Sequence, residues 1–203
     1  MKTHYLEYIQ HSIVKAWDMP GLTNYKKNSY TYGEIAQHVA RHHILFEKLG
    51  LKKGDKVALC GPNSAEWGIS FLAVTAYEAV AVPLLNDFLP ESVMTLTDHS
   101  EACVFFVSRD IWEKIDMAKM PLLKLVICLE DYELLYSKDP AVTQAHASIE
   151  VLFKEKYPNG FGPEQVSYPT DNFDDLALIN YTSGTTSAPK GVMLTYRNIS
   201  SNI

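Results

Sequence analysis

Short apolar runs recur along the first two thirds of this chain at a nearly constant interval. Lys56–Cys60, Val80–Leu84, Cys103–Val107 and Leu125–Leu129 start about 20–25 residues apart. Each has the length of a buried strand, and the segments between them carry helix signals. Asn63 and Glu66 form a cap-and-return pattern ahead of a helix that reaches about Tyr77. Pro90 suits the first turn of a helix ending near Ser100, and Asp110–Met117 reads as a short helix. Strand, helix and strand at this spacing predict βαβ units and a largely parallel sheet, an α/β fold.

The flanking segments fit around that frame. The opening stretch to about Leu22 reads as an amphipathic helix, and Tyr30–Tyr32 as a short extended run. Ile35, Val39, Phe46 and Leu49 recur at helical spacing with Gly50 at the stop, which predicts a helix over 33–49. Within it, Arg41, His42 and His43 are adjacent. Neighbouring helix positions do not face one another, so they read as a solvated flank rather than a ligand set. Ala141–Tyr157 reads as helical, and 158–169 is rich in turn residues. The expected division is a first α/β unit over 1–157, a connection over 158–175, and the start of a further unit over 176–203.

Composition removes several functional classes. The chain has 203 residues, 47% of them hydrophobic, enough for one or two packed units. Its net charge of −6 and the lack of a Lys/Arg stripe argue against a nucleic-acid partner. Cys60, Cys103 and Cys128 have no metal-like spacing and read as buried small hydrophobes in a reducing compartment. No signal-peptide pattern opens the chain, and the most apolar window, Ile69–Leu85, is broken by Glu78 and Pro83. These features predict a cytoplasmic protein.

The chemistry concentrates in residues 176–195. Leu176–Ile179 reads as a buried strand, followed by Tyr181-Thr182-Ser183-Gly184-Thr185-Thr186-Ser187-Ala188-Pro189-Lys190-Gly191-Val192 and a second apolar run, Val192–Leu194. Gly184 lets backbone approach a ligand closely, and neighbouring N–H groups can form an anion-binding nest. Hydroxyls of Thr182, Ser183, Thr185 and Thr186 add donors, and Lys190 adds a compact positive charge. The common nucleotide loop ends in Gly-Lys-Ser/Thr on a helix N-terminus. Here Pro189 and Gly191 flank Lys190, so no helix should begin there. Thr195 can cap a helix starting at Tyr196.

Tyr-Thr-Ser-Gly-Thr-Thr-x-x-Pro-Lys-Gly-Val over 181–192 resembles the phosphate-binding signature of the adenylate-forming enzymes. That superfamily contains acyl-CoA synthetases, firefly-type luciferases and the adenylation domains of peptide synthetases. The likeness extends upstream to about Tyr30, through Gly54–Leu59, Asn63–Trp67 and Ala79–Leu84. Two positions depart from the pattern. Ser187 stands where glycine is usual, and Tyr196 where histidine is frequent.

The resemblance implies attack of a carboxylate on the α-phosphate of ATP, then displacement of AMP by a thiol, usually that of coenzyme A. It assigns Thr182, Ser183, Gly184, Thr185, Thr186 and Lys190 to phosphate binding, with Lys190 the catalytic candidate, and it implies Mg²⁺ without naming its ligand. Tyr30–Val107 as a whole, with the run Val82–Phe88 after the second strand, is most similar to long-chain fatty acid–CoA ligases, and a long lipid acid would allow peripheral membrane contact. Small molecules are then the partners: ATP, a carboxylic acid and CoA. An aryl-CoA ligase or an amino-acid adenylation domain is the alternative within the class. A non-catalytic nucleotide or polyphosphate module is the alternative outside it. Members of this superfamily run several hundred residues further, so the chain is expected to be an N-terminal portion, inactive alone, that self-associates or binds ATP weakly.

Overall fold

The computed structural model describes residues 3–182 and 190–202. Helix α1 (Tyr5–Lys15) leads to a two-stranded ribbon, β1 (Pro20–Thr23) and β2 (Ser29–Thr31). The expected helix to Leu22 stops early because Pro20 disfavours helical backbone before it and cannot donate an N–H. Then follow α2 (Tyr32–Leu49), β3 (Lys56–Cys60), α3 (Ala65–Ala76), β4 (Val80–Leu84), α4 (Pro90–His99), β5 (Ala102–Val107) and α5 (Arg109–Trp112). Next come β6 (Leu125–Cys128), β7 (Leu134–Ser137), α6 (Pro140–Ala147), α7 (Ile149–Lys156), β8 (Leu176–Thr182), β9 (Lys190–Thr195) and α8 (Tyr196–Ser200). Gly50 ends α2 in the left-handed region at φ 71°, as its position after Leu49 predicts. Thr195 caps α8 through a reciprocal pair with Asn198.

One seven-stranded sheet organises the molecule, in the order β7-β6-β5-β3-β4-β8-β9. Strands β3, β4, β5, β6 and β8 are parallel, and the outer strands β7 and β9 run antiparallel. The predicted parallel sheet is therefore present, with β8 added beside β4. Alternation along the central strands feeds two cores. Val57, Leu59, Val104, Phe106, Leu125 and Ile127 face a layer containing α1, α2 and α3. Ala58, Cys60, Phe105, Val107 and Val126 face α4 through Val93, Met94 and Leu96. Burial on both faces is what a parallel sheet requires, and it explains why these strands read as unbroken apolar runs.

The histidines of α2 correct the expected solvated flank. His42 is 3% exposed and meets the rings of Phe106 and Tyr132 edge-on, at centroid distances of 5.1 and 4.5 Å. His43 Nε2 lies 2.9 Å from the Ala73 carbonyl. Helix α2 is packed against α3 on one side and against α6 and α7 on another, so its buried arc is wider than one apolar stripe. Burial pushes the His42 imidazole down to about 3 and His43 to about 4.

Candidate functional site

The parallel strands share a carboxyl edge, where open α/β sheets place their ligand sites. Cys60, Leu84, Val107, Cys128 and Thr182 end their strands there. At β8 the chain turns back as an antiparallel hairpin. Its register pairs Asn180 with Val192, Tyr181 with Gly191 and Thr182 with Lys190. The structure thus brings Thr182 and Lys190 face to face at the mouth of the hairpin, both exposed. Lys190 opens a strand rather than a helix, as its proline and glycine neighbours predict. Ser183, Gly184, Thr185 and Thr186 lie outside the described residues, as does Ser187.

Two residues below the mouth make its base. The Tyr181 side chain is 6% exposed, and its hydroxyl lies 2.7 Å from His99 Nδ1 on the last turn of α4. The two rings meet edge to face at 5.7 Å. Across the strand, Gly191 leaves no room for a side chain: a Cβ would fall 2.7 Å from Ile179 Cγ2 and 3.3 Å from Tyr181 Cε1. The glycine of Pro-Lys-Gly is therefore set first by the close approach of Ile179 and then by Tyr181 of the same motif. Nothing in the sequence pattern points to His99, which lies 82 residues before its partner.

Between β3 and β5 the strand order reverses, with β4 on the far side of β3. A cavity of about 460 Å³ opens beside the β3–α3 turn, lined in part by Pro62, Asn63, Ser64, Lys27 and Glu130. Here the cap-and-return expectation needs correction. Ser64, not Asn63, caps α3 by accepting from the Trp67 N–H at 3.0 Å. Glu66 does not return to the cap. It accepts from Tyr30 Oη at 2.8 Å, Asn24 Nδ2 at 3.0 Å and Asn28 Nδ2 at 3.3 Å, tying the β1–β2 ribbon to α3. Burial pushes this carboxyl up, and the donors of Asn24, Tyr30 and Asn28 outweigh it, holding Glu66 below the usual carboxylate range.

All three cysteines are buried and free. Burial pushes the Cys60, Cys103 and Cys128 thiols up to about 12, 11 and 12, far from the thiolate a nucleophile needs. Tyr196, standing where the resemblance expects histidine, is fully buried and donates to the Thr75 carbonyl at 2.7 Å. Among the described residues, no cluster of three or more His, Cys, Asp or Glu side chains could hold a metal ion. Among them, too, no helix is long and apolar enough to cross a membrane.

A family profile described as AMP-binding enzyme matches residues 10–203. The chain belongs to the AMP-binding enzyme family. Among curated relatives, the crotonobetaine/carnitine–CoA ligase of Escherichia fergusonii is 32% identical over 176 residues, covering 85% of this chain and 32% of the relative. The chain therefore spans about a third of the length of the curated relatives it matches. Among solved structures, an anthranilate CoA ligase in complex with anthranoyl-AMP superposes with a TM-score of 0.73 at 18% identity, over 97% of this chain and 36% of that one. A long-chain-fatty-acid–CoA ligase from Archaeoglobus fulgidus gives 0.72 at 20% identity, over 100% of this chain and 38% of that one. These AMP-binding enzymes share the fold of the α/β sheet described above.

Proposed function

We propose that this AMP-binding chain serves an ATP-dependent acid–CoA ligase, supplying the sheet and the loop that holds the β- and γ-phosphates of ATP. The observation that carries the reading is the Thr182–Lys190 pair at the mouth of a hairpin on the carboxyl edge of the sheet, inside a stretch that resembles the phosphate-binding signature of adenylate-forming enzymes and within the span the AMP-binding profile matches. A carboxylate is a poor acyl donor, and transfer to AMP gives it a leaving group. As the α-phosphate is attacked, charge builds on departing pyrophosphate. Preorganised donors aimed at that charge lower the barrier.

Lys190 would bring its ammonium to the phosphates, and the Thr182 hydroxyl would donate from the facing strand. Ser183, Gly184, Thr185 and Thr186 complete the loop in this reading. Mg²⁺, when bound, neutralises phosphate charge. It prefers oxygen donors, and a threonine hydroxyl of this loop would offer one. Coenzyme A would enter in the second half-reaction and accept the acyl group on its thiol, releasing AMP.

For the acid, we infer a long-chain fatty acid, from the likeness of Tyr30–Val107, Val82–Phe88 included, to ligases of that type. The curated relatives named for crotonobetaine and carnitine make a small polar acid the competing reading. The test is acid-dependent exchange of pyrophosphate into ATP by the protein from the uninterrupted reading frame, across long-chain, short, aromatic, betaine-type and amino acids. Exchange driven by long-chain acids supports the reading in full. Exchange driven by another acid keeps adenylation and overturns the substrate. Silence with every acid from a folded protein leaves a nucleotide-binding module.

A further inference from the structure

We propose that His99 is a positioning residue for the phosphate loop, acting through Tyr181. The inference rests on the loop reading above, and it comes from how few buried side chains among the described residues hold the hairpin at this end. Strand β9 is the edge of the sheet, and Lys190, Gly191, Val192 and Met193 are all exposed. Their lateral support is β8. On β8 the neighbours Asn180 and Thr182 are exposed as well, so Tyr181 is the buried side chain nearest the mouth among the described residues. A Cβ at position 191 would meet its ring at 3.3 Å, and its hydroxyl lies 2.7 Å from His99 Nδ1.

His99 in turn sits at the end of a firmly seated helix. Val93, Met94 and Leu96 of α4 are buried in the core that also holds Val82 and Leu84 of β4 and Phe105 and Val107 of β5. A displacement of Tyr181 would move Thr182, one residue on, and Gly191, its partner in the β8–β9 register. Lys190 would follow, since it pairs with Thr182 and adjoins Gly191. Tyr181 itself belongs to that core, and the hydrogen bond with the exposed His99 fixes its hydroxyl to the end of α4. A misplacement of about 1 Å in groups that orient a reacting phosphate is enough to slow catalysis.

The experiment uses the protein from the uninterrupted reading frame and reads pyrophosphate exchange together with amide hydrogen exchange. His99→Ala is expected to lower kcat/KM for ATP about 3- to 10-fold, the loss of one hydrogen bond, with KM for the acid unchanged. Tyr181→Phe should give a similar loss, and the double variant should be no worse than either single one. His99→Asn keeps a polar atom near the Nδ1 position and should restore most of the rate. The amides of Gly191 and Val192 should exchange faster in His99→Ala, while those of β5 stay protected as in the wild type.

A lower melting temperature with unchanged kinetics and unchanged hairpin protection would overturn the proposal, as would losses that simply add in the double variant. If the wild type drives no exchange with any acid, the ligase reading fails. Hairpin protection then decides the His99 proposal by itself, and equal protection in wild type and His99→Ala would reject it.

Discussion

The centre of the sheet and its β8–β9 side are built on opposite terms. Every residue of β5 is buried, and its neighbours β3 and β6 are enclosed almost as fully. Lys190–Met193 of β9, by contrast, are exposed throughout. The centre spends its side chains on packing and has none left over for a ligand. Among the described residues the hairpin has few buried side chains, and Thr182 and Lys190 are exposed at its mouth. On the proposed function, stability and chemistry fall to different strands of one sheet, and the two should respond separately to perturbation.

Acid is expected to break the packed side most severely. In the folded protein burial holds His42 down to about 3 and His43 to about 4, whereas unfolded imidazoles titrate near 6.5. Above that value both states are neutral and nothing is lost. As the pH falls from 6.5 toward 4, the unfolded chain binds protons that the folded one refuses, and stability drops by up to roughly 5 kcal/mol at pH 4.5. Urea unfolding at pH 7.5 and 4.5 checks this; a midpoint that stays put would contradict the enclosure of these rings. Phe106→Ala acts on the same region at any pH. The ring is fully buried between His42 and Phe46, and its loss should cost about 3–5 kcal/mol in denaturant unfolding.

Lys190→Ala should do the reverse. Lys190 is exposed, so stability is expected to stay within about 0.5 kcal/mol of the wild type. Loss of a charged hydrogen bond worth about 1.5–3 kcal/mol should slow pyrophosphate exchange roughly 10- to 150-fold. An unchanged rate would remove Lys190 from the mechanism. Tyr196→Phe sharpens the boundary between the regions. It removes the hydroxyl that donates to Thr75, on the residue just after β9. A cost of about 1 kcal/mol in stability with little change in exchange rate would place α8 on the packing side of the divide.

The packed side was legible from sequence because double burial leaves a plain mark, a continuous apolar run bounded by turn residues. Val57, Phe105 and Ile127 could be placed in strands on that basis. The α4 start at Pro90, the α2 stop at Gly50 and the Thr195 cap were readable because each satisfies a local backbone need. The misreadings share a cause in contacts remote along the chain. His42 looked like surface until α6, α7 and Tyr132 closed over it. Glu66 sat at the right spacing for a cap, and its partners Asn24, Asn28 and Tyr30 came from a ribbon some forty residues earlier. Strand β7 is short and half-buried, so its pattern was too weak to stand out from the irregular stretch after Leu129. At the hairpin, the motif residues were legible as a string, and the His99 support was not, since a single histidine at a helix end carries no periodic signal.

The place of β8 in the sheet has a consequence for how the chain comes into being. Strand β4 pairs with β3 on one edge and with β8 on the other, and roughly 90 residues separate the end of β4 from the start of β8; at about 5–20 residues per second, a ribosome needs some 5–18 s to deliver them. For that interval the growing chain carries an apolar, unpaired strand edge, Val80–Leu84, while β5, β6 and β7 assemble on the opposite flank. Newly made protein should therefore be most in need of protection from aggregation before residue 176 has emerged.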